Sequence, residues 1–171
     1  MEKSNMQFHK GFSLVELLLV IILLGIMAVM GSAVWNRYIT NTNFREAARA
    51  IEADMKFMKQ NALSQAFTTE AIPNVTYNIV FDKTNNSYTL EAWDSATATN
   101  VFTRTRQLSS FGRGNIVFDS VPLGGPTYQL NFLRRGILGG IGTIVIKNDR
   151  DSEANIRFTQ SGKVYVAFDN K

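Results

Sequence analysis

The chain changes texture along its length. Leu17 to Val34 is a continuous apolar stretch without a charged residue, about as long as a helix needs to be to cross the hydrocarbon core of a bilayer. Trp35 to Phe67 follows with neither proline nor glycine. Within it Phe44, Ala48, Ile51, Met55, Met58 and Ala62 recur at alternating spacings of four and three, which lays one apolar seam along a helix. Arg45, Glu46, Arg49, Glu52, Lys56 and Lys59 fall largely off the seam, and Glu52 with Lys56 forms an i,i+4 pair in the favourable order. A continuous helix from Phe12 to about Phe67 would measure roughly 80 Å. Its seam predicts packing on the chain's own strands rather than in a coiled coil. Gly25 and Gly31 are its weak points, each costing about 1 kcal/mol relative to alanine.

From Val75 the pattern alternates with period two. Val75 to Phe81 and Ser87 to Trp93 read as strands joined by a turn at Lys83 to Asn86. Further strands are expected at Val101 to Leu108, Ile116 to Phe118, Tyr128 to Leu133 and Thr143 to Lys147. A closing hairpin runs from Ile156 to Thr159, turns at Gln160 to Gly162 and returns from Val164 to Phe168. The segment Asp94 to Asn100 reads as a small polar loop, and Gly136 to Gly142 as a glycine-rich bend or surface loop. The latter lacks the lysine and hydroxyl residue of a phosphate-binding loop and opens no helix. The expected fold is therefore α+β: a long N-terminal helix, transmembrane in its first half and amphipathic in its second, packed on a C-terminal antiparallel β-sheet domain.

Composition adds little to this division. The mean hydropathy of −0.06 averages two unlike parts, and a net charge of +4 is too mild to indicate a nucleic-acid partner by itself. With no cysteine there is no disulfide and no thiolate chemistry. His9 is the sole histidine, which leaves little for general-base or metal chemistry. Asp149, Asp151 and Glu153 alternate but lack the glycine and distant glutamate of a calcium loop, so they read as a solvated turn. No nucleophile-elbow serine is present. The chain reads as a non-enzyme with no catalytic residue, no metal site and no cofactor.

The N-terminus carries the sharper signal. Met1 to Lys10 is short and polar, and Lys3 and Lys10 precede the apolar run while the next basic residue is Arg37. This thin bias places the N-terminus on the cytoplasmic side. Glu16 is anomalous, because a carboxylate near the start of a membrane helix costs on the order of a few kcal/mol unless it is paired or reaches the interface. Cleavage between Gly11 and Phe12 would create an α-amine one helical turn from Glu16, available from the same or a neighbouring chain. On physics alone, that pairing and simple snorkelling to the headgroups stand about level.

The string Gly11-Phe12-Ser13-Leu14-Val15-Glu16 resembles the prepilin cleavage motif of type IV pilins and type II secretion pseudopilins. The resemblance implies a cut by a membrane aspartyl peptidase, the prepilin peptidase, between Gly11 and Phe12. It also implies N-methylation of Phe12 and a role for Glu16 in assembly. Leu130-Asn131-Phe132, Gly136, Thr143 to Ile146, Ile156 to Phe158 and Ser161-Gly162-Lys163-Val164 are similar to the C-terminal sheet of the GspH/FimT group of minor pilins and pseudopilins, with Lys163 where arginine is common.

The divisions then expected are a leader peptide at 1–11, a transmembrane and assembly segment at 12–35, an amphipathic helical segment at 36–67 and a periplasmic β-rich domain at 68–171. The resemblance implies a structural minor subunit of a type IV pilus or type II secretion filament, held by a single span in a bacterial inner membrane. Its partners would be other pilin or pseudopilin subunits, the prepilin peptidase and the inner membrane. From Arg104 onward ten basic residues face five acidic ones. The resemblance also implies the alternative, a minor pilin that binds DNA during uptake through basic residues near the final hairpin, here Arg134, Arg135, Arg157 and Lys163; an ordinary soluble surface is the favoured reading of that charge.

Overall fold

The computed structural model describes residues 13–64 and 75–169. Among these residues one α-helix, α1 (Leu14–Ser64), precedes nine strands, and the chain separates into two compact units, Met1–Tyr38 and Ile39–Lys171. In the first unit α1 runs through Gly25 and Gly31 without a break. Leu17 to Leu24 and the large apolar side chains after them in this unit are exposed.

In the second unit α1 buries the predicted seam. Phe44, Ala48, Ile51, Met55, Met58 and Ala62 are all inaccessible or nearly so, joined by Ala47. They belong to one core cluster with residues from both sheets, so the seam packs on the chain's own strands as its spacing predicts. Truncating one of its large members to alanine would cost about 2–5 kcal/mol. Glu52 and Lys56 form the expected ion pair at 2.7 Å on the outer face.

The strands are β1 (Val75–Asp82), β2 (Ser87–Asp94), β3 (Thr99–Gln107), β4 (Val117–Ser120), β5 (Thr127–Leu133), β6 (Ile137–Leu138), β7 (Gly142–Lys147), β8 (Glu153–Phe158) and β9 (Val164–Asp169). They form two antiparallel sheets, of order β3-β2-β1-β5-β6 and β4-β7-β8-β9. Alternation decides which face is buried. Ile79 and Phe81 of β1, Tyr88, Leu90 and Ala92 of β2, and Leu130 and Phe132 of β5 point inward, as successive side chains on a strand face opposite ways. In the second sheet Ile144, Ile146, Ala154, Ile156 and Phe158 do the same. Aromatic contacts join the parts: Phe81 lies 5.9 Å from Phe118 and Tyr128 6.1 Å from Phe158 between the sheets, and Phe44 of α1 meets Phe168 of β9 at 6.5 Å.

Three loop readings change. Residues 95–98 alone turn between β2 and β3, because the Asp94 carboxylate accepts hydrogen bonds from the Ala96 amide and the Thr97 hydroxyl and closes the hairpin there. The glycine-rich segment contains β6, and Gly136 and Leu138 are buried rather than looped into solvent. Glu153 is a strand residue, opposite Lys147. The solvated turn ends earlier because the buried Asn148 side chain accepts from the amides of Arg150 and Ser152.

β3 is the edge of the larger sheet and is exposed along nearly its whole length. A register shift opposite Ala92 and Trp93 makes it irregular. Arg104 and Arg106 stand opposite Leu90 and Tyr88, so cations line the inner side of this edge, a device that discourages pairing with another chain.

Candidate functional site

Gly11 and Phe12 lie outside the described residues. The structure begins the site at Ser13, whose carbonyl accepts from the amides of Glu16 and Leu17 at 3.0 and 3.1 Å. This makes Ser13 the entry to α1 and puts Glu16 in its first turn, where a carboxylate is favoured by the positive end of the helix dipole. Glu16 is exposed, on a helix whose apolar stretch has a mean hydropathy of 2.8. By length and composition α1 can span a membrane.

At the far end of the same unit the apolar run closes on Trp35 and Tyr38. Their rings lie 6.1 Å apart on one side of the helix, and each is 63% exposed. Arg37 stands between them in sequence.

The four basic candidates of the second unit are all exposed. Arg134 and Arg135 occupy a short 3-10 turn between β5 and β6, and Arg135 adopts φ +74°. Lys163 follows the turn that leads into β9. These two places meet through their glycines: a Cβ on Gly162 would lie 2.3 Å from the Gly136 carbonyl oxygen, and the Leu138 amide donates to the Gln160 carbonyl. Lys59 of α1 locks the junction by donating to the Gly162 carbonyl at 2.8 Å. Arg157 lies on β8, opposite Thr143 and Tyr165, on the hairpin whose turn Lys163 follows. Two further cations are already neutralised. Lys147 pairs with Asp119 at 3.1 Å, and Arg106 with Asp54 at 3.0 Å.

Asp54 was not among the sequence candidates. It is a largely buried carboxylate that accepts from the Tyr88 phenol at 2.7 Å and from an Arg106 guanidinium nitrogen at 3.4 Å. Arg106 Nε lies 3.0 Å from the same carboxylate as a charge contact. Burial, reinforced by the bond to Asp54, pushes the Tyr88 phenol far above its ordinary value. The network ties α1 to β2 and β3 and is structural: it is enclosed, with its charge matched. The signal was present in the sequence, since Asp54 falls three residues after Ile51 on the seam.

Residues 6–32 match a family model described as the prokaryotic N-terminal methylation motif. The matched segment includes Gly11, Phe12 and Glu16 and supports a type IV pilin-like protein. Comparison with curated proteins and with solved structures gives no match to either. The motif points to a structural rather than a catalytic protein, and it is consistent with processing by prepilin peptidase, assembly with other pilin subunits and anchorage in a membrane. Nothing in the match favours DNA uptake.

Proposed function

We propose that the chain is a minor subunit, a pseudopilin or minor pilin, of a type IV pilus or type II secretion filament. It enters a bacterial inner membrane as a precursor, loses residues 1–11 by a cut between Gly11 and Phe12, and is N-methylated on Phe12. Segment 12–35 holds it in the membrane and afterwards among other subunits. Segment 36–67 carries the amphipathic helix, and 68–171 forms the periplasmic domain. The observation that carries this reading is the methylation motif spanning the start of a helix whose large apolar side chains are exposed.

Glu16 supplies the register. In a low-dielectric bundle of parallel helices, a carboxylate facing a neighbouring α-amine is attracted strongly only when the two are brought level. The GspH/FimT assignment is supported by the tail. Gly136 and Gly162 both take positive φ values and make a close backbone approach, and β8, Gly162, Lys163 and β9 follow in the order of the resemblance.

The test is the N-terminal residue and intact mass of the protein from native membranes. A chain beginning at methylated Phe12 is expected, with Gly11→Asp accumulating as the membrane-bound precursor. Wild-type protein still beginning at Met1 in the presence of the peptidase would leave an unrelated single-pass membrane protein as the better reading.

A further inference from the structure

The two ends of the exposed apolar run are chemically unlike. One end is Glu16; the other is Trp35 and Tyr38, three residues apart and in ring contact, with Arg37 adjoining them. Nineteen residue steps separate Glu16 from Trp35, and at 1.5 Å per residue the separation is about 29 Å. That matches the hydrocarbon thickness of a bilayer, about 30 Å. Indole and phenol rings have apolar bodies with one polar edge, so they settle where acyl chains meet headgroups. A guanidinium beside them suits the lipid phosphate.

We propose that Trp35, Arg37 and Tyr38 form a lipid-headgroup belt that fixes the depth of the helix, and that this depth brings Glu16 out at the opposite headgroup layer. The inference rests on the membrane-anchored reading above and adds a register to it. Glu16 then remains solvated while the subunit waits in the membrane, and loses water only when helices pack around it. The cost of a buried carboxylate is deferred to assembly, when a partner amine is at hand. Leu17 to Val34, without a charged residue, is the portion left in hydrocarbon.

The test uses the full chain carrying Trp93→Phe, so that Trp35 is the only tryptophan, in vesicles of phosphatidylethanolamine and phosphatidylglycerol. Co-flotation with the vesicles reports the membrane reading. Quenching by lipids brominated near the glycerol or near the chain end reports depth. Trp35 is expected to be quenched several times more strongly by the shallow bromines. Because the chain has no cysteine, Leu17→Cys and Leu24→Cys variants extend the test to the other end: a water-soluble maleimide should label the first many times faster. Co-flotation with deep quenching, or with equal protection at both cysteines, overturns the belt and leaves the membrane reading standing. Failure to co-float overturns both.

Discussion

The Tyr88 phenol donates to the Asp54 carboxylate across 2.7 Å and so joins the helix to the larger sheet inside the core. Removing either member leaves a different remainder. Tyr88→Phe keeps the charge pair of Asp54 with Arg106 and should cost about 1–3 kcal/mol. Asp54→Ala abandons both a buried phenol and a guanidinium that is only 27% exposed, and should cost about 3–5 kcal/mol. Urea unfolding of the two variants should preserve this order.

The same pair predicts a dependence on alkaline pH. Burial and the bond to Asp54 raise the folded-state value of Tyr88 above its ordinary 10.0. The folded state therefore holds the phenolic proton more tightly than the unfolded state does. That contribution is complete below about pH 10 and is lost as pH rises above it. Tyr77 and Tyr128 are also raised by burial, so the comparison must isolate Tyr88. Above pH 10 wild-type stability should fall more steeply than that of Tyr88→Phe, as thermal melts over pH 8 to 11 would show.

Gly162 and Gly124 separate backbone strain from collision. Both have positive φ, +77° and +67°. A Cβ on Gly124 meets nothing, whereas one on Gly162 runs into the Gly136 carbonyl and the end of Lys59. Gly124→Ala should lose about 1–3 kcal/mol from strain. Gly162→Ala should lose clearly more and also break the Lys59 hydrogen bond. Melting temperatures of the two variants are the measurement, and equal losses would count against the junction described here.

Glu16→Ala should leave cleavage at Gly11 and methylation of Phe12 intact while removing the protein from sheared filaments. Intact mass and filament immunoblots report the two steps separately. A variant incorporated at the wild-type level would deny Glu16 the assembly role.

Legibility followed the range of the interactions. Period-two alternation is local, so Val75 to Phe81 and Ser87 to Trp93 lie within β1 and β2. The seam of α1 was equally plain, and the prepilin-type string is a short contiguous motif that needs no fold to be recognised. Division into two sheets was not legible, because it depends on contacts such as Phe81 with Phe118. β6 escaped notice because two residues carry no periodicity. Asp54 was overlooked because counting only apolar recurrences hides a carboxylate on the buried face. The basic candidates follow from the resemblance to a final hairpin; that Arg134 and Arg135 adjoin this hairpin through Gly136 and Gly162 depends on a long-range backbone approach with no local signal.

The contact between Phe44 and Phe168 also bears on timing. Phe44 opens the buried seam, and Phe168 lies next to the end of the last strand. The seam shares one core cluster with strands that follow it in the chain, and residues of the final hairpin pack against it. Contacts between such distant segments form late, since a long loop must close before they contribute. During synthesis the helix therefore emerges with its apolar stripe bare and stays so until the strands that cover it have followed. A chain stalled before β9 would lack the cover that Phe168 gives Phe44 and present that end of the stripe to chaperones and proteases.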